Sequence, residues 1–113
     1  MSQNYIKNIE FASVLPLAEQ VSYQPGQVVS KTLAQNPAVS LTLFAFDKDE
    51  EISSHTSTGD AMILVLDGES EITIGSEKYA LKQGETIVMP ANVPHAVFAK
   101  APFKMLLTVV FPQ

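Results

Sequence analysis

The chain has two histidines, His55 and His95, and the residue types around them indicate a place where chemistry could occur. His95 follows the stretch GETIVMPANVP, which ends in a stiff corner between Pro90 and Pro94. Such a corner ends a strand and holds the next side chain at a fixed angle, as a ligand site requires. A neutral imidazole can ligate a transition metal or exchange hydrogen bonds with a small molecule. Both histidines are therefore candidate ligands, and a structural histidine bonded to backbone is the alternative for His95.

The residues near the histidines supply few further ligands. Two imidazoles need waters or one carboxylate to complete a metal shell, an open arrangement like that of non-haem iron enzymes. Asp60 is the nearest carboxylate, but strand alternation turns it away from Ala61 unless the STGD turn resets the register. Ser57 lies too near His55 in sequence for the two to indicate a catalytic triad. The absence of cysteine excludes thiol catalysis and thiolate metal sites.

Alternation of apolar residues predicts which side chains line a pocket. Both faces of the run DAMILVL are apolar, so we expect this strand to be covered on both sides. His95 shares a face with Val97, and His55 has the parity of Ala61 if SSHTS continues the preceding strand. The predicted pocket is apolar and is lined by His55, Ser57, Ala61, Ile63, His95 and Val97.

Turn signals divide the chain after residue 27 into short segments, which is typical of an all-β domain. Gly75 and Ser76 fit a two-residue hairpin with glycine first, and this predicts two antiparallel strands. The pattern predicts an antiparallel sandwich or barrel. A helix is expected only as a short turn near the N-terminus, where Pro16 limits its length.

The length of 113 residues predicts one domain spanning residues 1–113. Residues 27–113 form the predicted barrel, and residues 1–26 form an N-terminal segment that packs on the barrel or swaps with a second copy. The two apolar faces of the run 61–66 and the apolar tail MLLTVVF predict a homodimer, because an apolar outer wall needs a cover.

Charge argues against polyanionic partners. The formal net charge is −5 and the pI is near 4.8, with seven scattered basic residues. We therefore expect binding to neither nucleic acid nor membrane. The sequence has no apolar run long enough for a membrane span and its first residues have no signal-peptide core, so the expected location is cytoplasmic.

The second half of the sequence resembles the cupins, small β-barrels in which two motifs bring metal-binding side chains together inside the barrel. The second motif of that family runs Gly, five residues, Pro, one residue, Gly, two residues, His, three residues, Asn. Gly84, Pro90 and His95 fall on its places. Asn92 stands at its second glycine, and asparagine is the residue besides glycine that best tolerates a left-handed backbone. Ala99 replaces the asparagine that closes the motif.

The spacing of the first cupin motif is kept in this sequence, but only one of the family's three metal ligands in that motif is present. Anchoring the motif at Gly68 puts Ala61 on the family's glutamate. Ser57 and His55 then fall on its two histidines, and Asp49 falls on its opening glycine.

The resemblance covers residues 49–99 and implies a double-stranded β-helix, or jelly-roll barrel, with His55 and His95 facing its interior. Two histidines cannot build the family's site of three His and one Glu. The resemblance thus implies a reduced site in which His55 and His95 weakly hold a divalent transition metal such as Fe, Mn, Ni or Zn.

Three functions remain open from the sequence. The first is an oxygenase-like or isomerase-like enzyme that acts on a small molecule with this reduced metal site. The second is a metal-free module that binds or senses a small molecule through its imidazoles. The third is a fold kept for protein assembly with a vestigial pocket. The missing His and Glu favour the second function, and family frequency favours the first, so enzymatic activity is undecided.

Overall fold

The computed structural model describes residues 5–113, and within them the chain forms one short 3₁₀-helix and nine strands. The 3₁₀-helix spans Leu17–Gln20 and follows Pro16 directly. The strands are β1 (Val28–Gln35), β2 (Val39–Phe46), β3 (Glu51–His55), β4 (Asp60–Asp67), β5 (Glu69–Ile74), β6 (Glu77–Lys82), β7 (Thr86–Met89), β8 (His95–Phe98) and β9 (Phe103–Val110). The predicted all-β fold and the short helical turn are confirmed.

The strands form two antiparallel sheets. One has the order β1-β2-β9-β4-β7 and the other has the order β3-β8-β5-β6. The hydrogen bonds do not close these sheets into a continuous cylinder, so the jelly roll keeps open edges at β1, β7, β3 and β6. The hairpin between β5 and β6 turns at Gly75 and Ser76, where Gly75 has φ of +60° as a glycine-first turn requires.

The core lies between the inner faces of the two sheets. Along β4, Ala61, Ile63 and Val65 are buried, and they alternate with residues that face outward. Phe46 of β2 and Phe103 of β9 stack with ring centroids 4.6 Å apart. This packed pair fills one end of the interior, and the other end contains the histidines.

The N-terminal segment covers part of the outer face of the larger sheet. Val21 is buried there, and Leu17 and Tyr23 pack beside it against the outward side chains of β2, β4 and β9. Lys31 and Lys104 project from the same sheet and donate to the backbone carbonyls of Gln20 and Ala18. These bonds satisfy carbonyls that so short a helix leaves free. Residues 1–4 of the predicted segment 1–26 lie outside the described residues, and a swap with a second copy stays a prediction.

The rest of that outer face is uncovered within the described chain. Met62, Val88 and Val110 are each between 43% and 58% exposed. They lie side by side across β7, β4 and β9, because Met62 pairs with Val88 and Asp60 pairs with Val110. The homodimer stays a prediction. None of the helical structure in residues 5–113 is long and apolar enough to cross a membrane.

Candidate functional site

A bulge brings His55 to the inner face. β3 pairs with β8 through Ile52 and Val97, and then through His55 and His95, with one extra residue on β3 between the two pairs. Strict alternation would place Ile52 and His55 on opposite faces. The extra residue resets this alternation, so both side chains face the interior. The sequence argument, in which His55 and Ala61 both have odd numbers and so share a face, does not explain this placement, because β3 and β4 belong to different sheets.

The two cupin-like motifs are hydrogen bonded to each other at their glycine positions. Asn92 has φ of 64° and donates its backbone N–H to the Ser57 carbonyl at 2.7 Å. Asp49 has φ of 69° and donates to the Ala99 carbonyl at 2.7 Å. Each residue that replaces a family glycine thus adopts the left-handed backbone of a glycine. The expectation for Asn92 is confirmed, and Asp49 behaves in the same way.

The two imidazoles lie next to each other. Their ring centroids are 4.3 Å apart and the ring planes meet at 68°. His95 is only 4% exposed, whereas His55 is exposed at the opening of the site. Two rings at this distance can share one ligand, since each metal–nitrogen bond would be about 2.1 Å long.

Backbone carbonyls fix the tautomer of both rings. His55 Nδ1 lies 2.9 Å from the Ser53 carbonyl oxygen and His95 Nδ1 lies 3.2 Å from the Val93 carbonyl oxygen. A carbonyl oxygen only accepts, so Nδ1 carries the proton and donates in each ring. Nε2 then has a lone pair, and neither Nε2 has a hydrogen-bond partner among residues 5–113.

Burial keeps His95 neutral. Removal from water lowers the pKa of His95 below its ordinary value, and the neighbouring His55 imidazole acts in the same direction. The hydrogen bond to the Val93 carbonyl opposes this shift. The uncharged ring can ligate or accept a hydrogen bond over the neutral pH range.

A cavity of about 420 Å³ opens beside the imidazoles. All six side chains predicted for the pocket line it: His55, Ser57, Ala61, Ile63, His95 and Val97. The remaining apolar wall comes from Ile52, Met89, Met105, Leu107, Val109 and Phe111. Sequence reasoning missed this second set, although the alternation of Met105, Leu107 and Val109 along one strand was a usable signal.

The carboxylate considered from the sequence lies elsewhere. Asp60 faces outward, and its Oδ1 accepts a 2.8 Å hydrogen bond from the Ala91 backbone N–H. Within residues 5–113, no three His, Cys, Asp or Glu side chains are grouped as a metal site requires. Ser57 Oγ accepts a bond from the Gly59 N–H at 3.1 Å, and so it orders the loop between β3 and β4.

Gly59 lets this loop pack tightly against β9. A Cβ atom at this position would lie 2.5 Å from the Val110 carbonyl oxygen and 2.9 Å from Val109 Cγ1. Only glycine permits this approach, and it holds the segment that follows His55 against the cavity wall. The sequence shows a glycine at position 59, but it does not indicate that β9 packs against it.

Comparisons with known proteins agree with this architecture. A family model described as a cupin domain matches residues 42–111, more than half of the chain. A conserved protein of unknown function from Streptococcus pyogenes is 47% identical with a TM-score of 0.97, and the match covers 100% of this chain and 99% of that one. A cupin superfamily protein from Desulfitobacterium hafniense is 34% identical with a TM-score of 0.91, over 95% of this chain and 98% of that one.

A longer relative contains the same unit. The cupin 2 conserved barrel domain protein from Leptotrichia buccalis is 44% identical with a TM-score of 0.81, and the match covers 83% of this chain but 46% of that one. A search of curated proteins found no match. The matched residues include both motif regions and the strands that form the cavity, and the chain belongs to the cupin family.

Proposed function

We propose that this protein binds a small, partly apolar molecule in the cavity beside His55 and His95. The observation that carries the proposal is the free Nε2 atom on each of two neighbouring imidazoles. Mostly apolar cavities with a few convergent polar groups are the usual sites for small ligands. The volume of about 420 Å³ lies near the lower end of the range for such sites, so the ligand is small.

The side chains that line the cavity support the binding of a ligand that forms no ion pair with the protein. The cavity is lined by apolar side chains, two imidazoles and three hydroxyl residues at positions 56–58. In the described chain, no Lys, Arg, Asp or Glu lines it. Burial of an unpaired charge is costly, so the lining itself offers no compensation for a charged ligand.

A divalent transition metal is the second candidate ligand. The Nδ1–H to carbonyl bonds support it, because such bonds orient metal-binding histidines in proteins. His55 and His95 would hold the ion, and water or substrate would complete its shell. A bound ion would supply Lewis acidity or redox chemistry for an oxygenase-like or isomerase-like reaction. Two nitrogen ligands predict weak and unselective binding.

Methionine methyl NMR tests small-molecule binding. Met89 and Met105 line the cavity, whereas Met62 lies on the outer face and serves as an internal control. We expect that some members of a set of small uncharged, anionic and cationic aromatic fragments will shift the methyl signals of Met89 and Met105 but not that of Met62. The Ala61→Phe variant should lose these shifts, because the added ring fills the cavity. If no fragment shifts Met89 or Met105, the cavity is not a binding site.

Titration with Ni²⁺ or Co²⁺ tests the metal candidate. The wild type should bind weakly, and the variant Ser57→His with Ala61→Glu should bind more tightly, because it returns ligands at the positions where the family has them. The variant His55→Phe should bind least. Equal affinity in the wild type and His55→Phe would remove this candidate and leave small-molecule binding untouched.

A further inference from the structure

We infer that the cavity selects uncharged molecules that carry an O–H or N–H donor on an apolar body, a phenol-like chemistry. This inference rests on the proposed function and adds the class of ligand. It follows from which atoms of the two imidazoles remain available, and from which groups the cavity lacks.

The deep polar groups of the cavity accept hydrogen bonds. His95 is 4% exposed, and its only donor, Nδ1–H, is used by the Val93 carbonyl. His55 uses its Nδ1–H for the Ser53 carbonyl in the same way. Each ring therefore offers an Nε2 lone pair and no proton. A ligand atom that is itself an acceptor would face two acceptors without a donor between them, and this mismatch is costly away from water.

The hydroxyl groups of the cavity do not cancel this preference. Thr56 and Thr58 are exposed at the rim, and Ser57 is only half-buried. A hydrogen bond made in water at a rim replaces one to water and contributes little to selectivity. Discrimination is greatest beside His95, which is only 4% exposed.

Charged ligands lack a partner. Within the described chain, no Lys or Arg lines the cavity to pair with a carboxylate or phosphate, and no Asp or Glu lines it to pair with an ammonium group. The net charge of −5 adds a field that repels anions. The apolar wall of Ile63, Met105 and Val109 favours an aromatic or aliphatic body instead.

Three para-substituted toluenes of similar size test the inference: 4-methylphenol, 4-methylanisole and 4-methylbenzoate. The first has a donor, the second has the same oxygen without its proton, and the third is an anion. Methyl shifts of Met89 and Met105 report binding in the cavity, and Met62 is the control. We expect 4-methylphenol to bind about tenfold more tightly than 4-methylanisole, as the loss of one buried hydrogen bond predicts, and 4-methylbenzoate to bind weakest.

Two variants connect this preference to the imidazoles. His95→Phe keeps an aromatic ring but removes the buried acceptor. The ratio of the affinities for the phenol and the anisole should therefore fall towards one. His55→Phe changes an exposed side chain with less risk to folding, and it should reduce the preference in part.

The outcomes separate the two proposals. If the anisole or the benzoate binds in the cavity as tightly as the phenol, or if neither variant changes the preference, the inference is wrong and the proposed function stands. If none of the probes shifts Met89 or Met105, the inference fails, and the broader fragment set then decides the proposed function.

Discussion

The Tyr23 hydroxyl donates a 2.6 Å hydrogen bond to Asp67 Oδ2, across 44 residues of sequence. This bond ties the N-terminal segment to the end of β4. Lys104 Nζ lies 4.9 Å from the centroid of the Tyr23 ring and donates to the Ala18 carbonyl, so three side-chain contacts converge there. Burial and the adjacent carboxylate raise the pKa of Tyr23, which keeps the phenol a donor at all physiological pH values.

Removal of this hydroxyl should loosen the N-terminal segment. The Tyr23→Phe variant should lower the free energy of unfolding by roughly 1–3 kcal/mol, since the bond goes to a charged acceptor at a half-buried site. Urea denaturation measures the change, and Tyr79→Phe is the control because Tyr79 is 42% exposed. A double-mutant cycle with Asp67→Ala should show coupling, because alanine removes the acceptor. Additive effects would mean that the bond contributes nothing.

Glycine at Asp49 should stabilise the fold. Asp49 holds a left-handed backbone at φ of 69°, a conformation that costs a residue with a Cβ atom roughly 1–2 kcal/mol. Asp49→Gly should therefore raise the unfolding free energy, by up to about 1 kcal/mol after the larger entropy of unfolded glycine is subtracted. Glu50→Gly at the next position is the control and should destabilise. A loss of stability in Asp49→Gly would show that its side chain matters more than its backbone strain.

Alanine at Gly59 should disturb the site. The added Cβ would meet the Val110 carbonyl at 2.5 Å, and a backbone atom cannot move aside as a flexible side chain can. We expect Gly59→Ala to push the loop away from β9 and to change the environment of His55. The imidazole NMR signals of His55 and the melting temperature measure both effects. Gly26→Ala is an informative comparison, because Gly26 has a positive φ but no atom within 4 Å of the added Cβ, so a cost there reports backbone strain and not a steric clash.

Stability should fall in mild acid because of His95. Its pKa is lowered in the folded state, so the unfolded chain binds a proton first as pH falls through the ordinary value of 6.5. The contribution of neutral, buried His95 is complete above pH 6.5 and is lost as pH falls towards the folded-state pKa. Urea denaturation at about pH 7.5 and about pH 5.5 measures this slope. His95→Gln should flatten it and His55→Gln should flatten it less; an unchanged slope in His95→Gln would contradict the assignment.

Alanine at Ser70 should be tolerated. Ser70 is 2% exposed, and its Oγ is a buried side-chain atom without a hydrogen-bond partner in residues 5–113. An unsatisfied buried hydroxyl costs roughly 1–3 kcal/mol, so Ser70→Ala should leave stability unchanged or raise it. Ile72→Ala on the same strand face should cost roughly 2–5 kcal/mol. Clear destabilisation by Ser70→Ala would reveal a partner such as an ordered water.

The local features of the protein could be predicted from its amino-acid sequence alone. Gly75, Gly84 and Asn92 marked turns because backbone with positive φ selects glycine or asparagine, whatever the rest of the chain does. The alternation along 61–66 predicted which side chains of β4 face inward, because successive side chains of any strand point to opposite faces. The motif frame around His95 predicted its inward placement for the same local reason.

The contacts between distant segments became clear only from the folded structure. The extra residue in β3 turns His55 inward, and this depends on the hydrogen-bond register with β8, which no local pattern encodes. The close approach of Gly59 to Val110 and the bond between Tyr23 and Asp67 join residues 51 and 44 positions apart. Such contacts follow from the packing of whole sheets against each other. Alternation and turn chemistry act over a few residues, so they predicted the parts of the candidate site but not the contacts that assemble it.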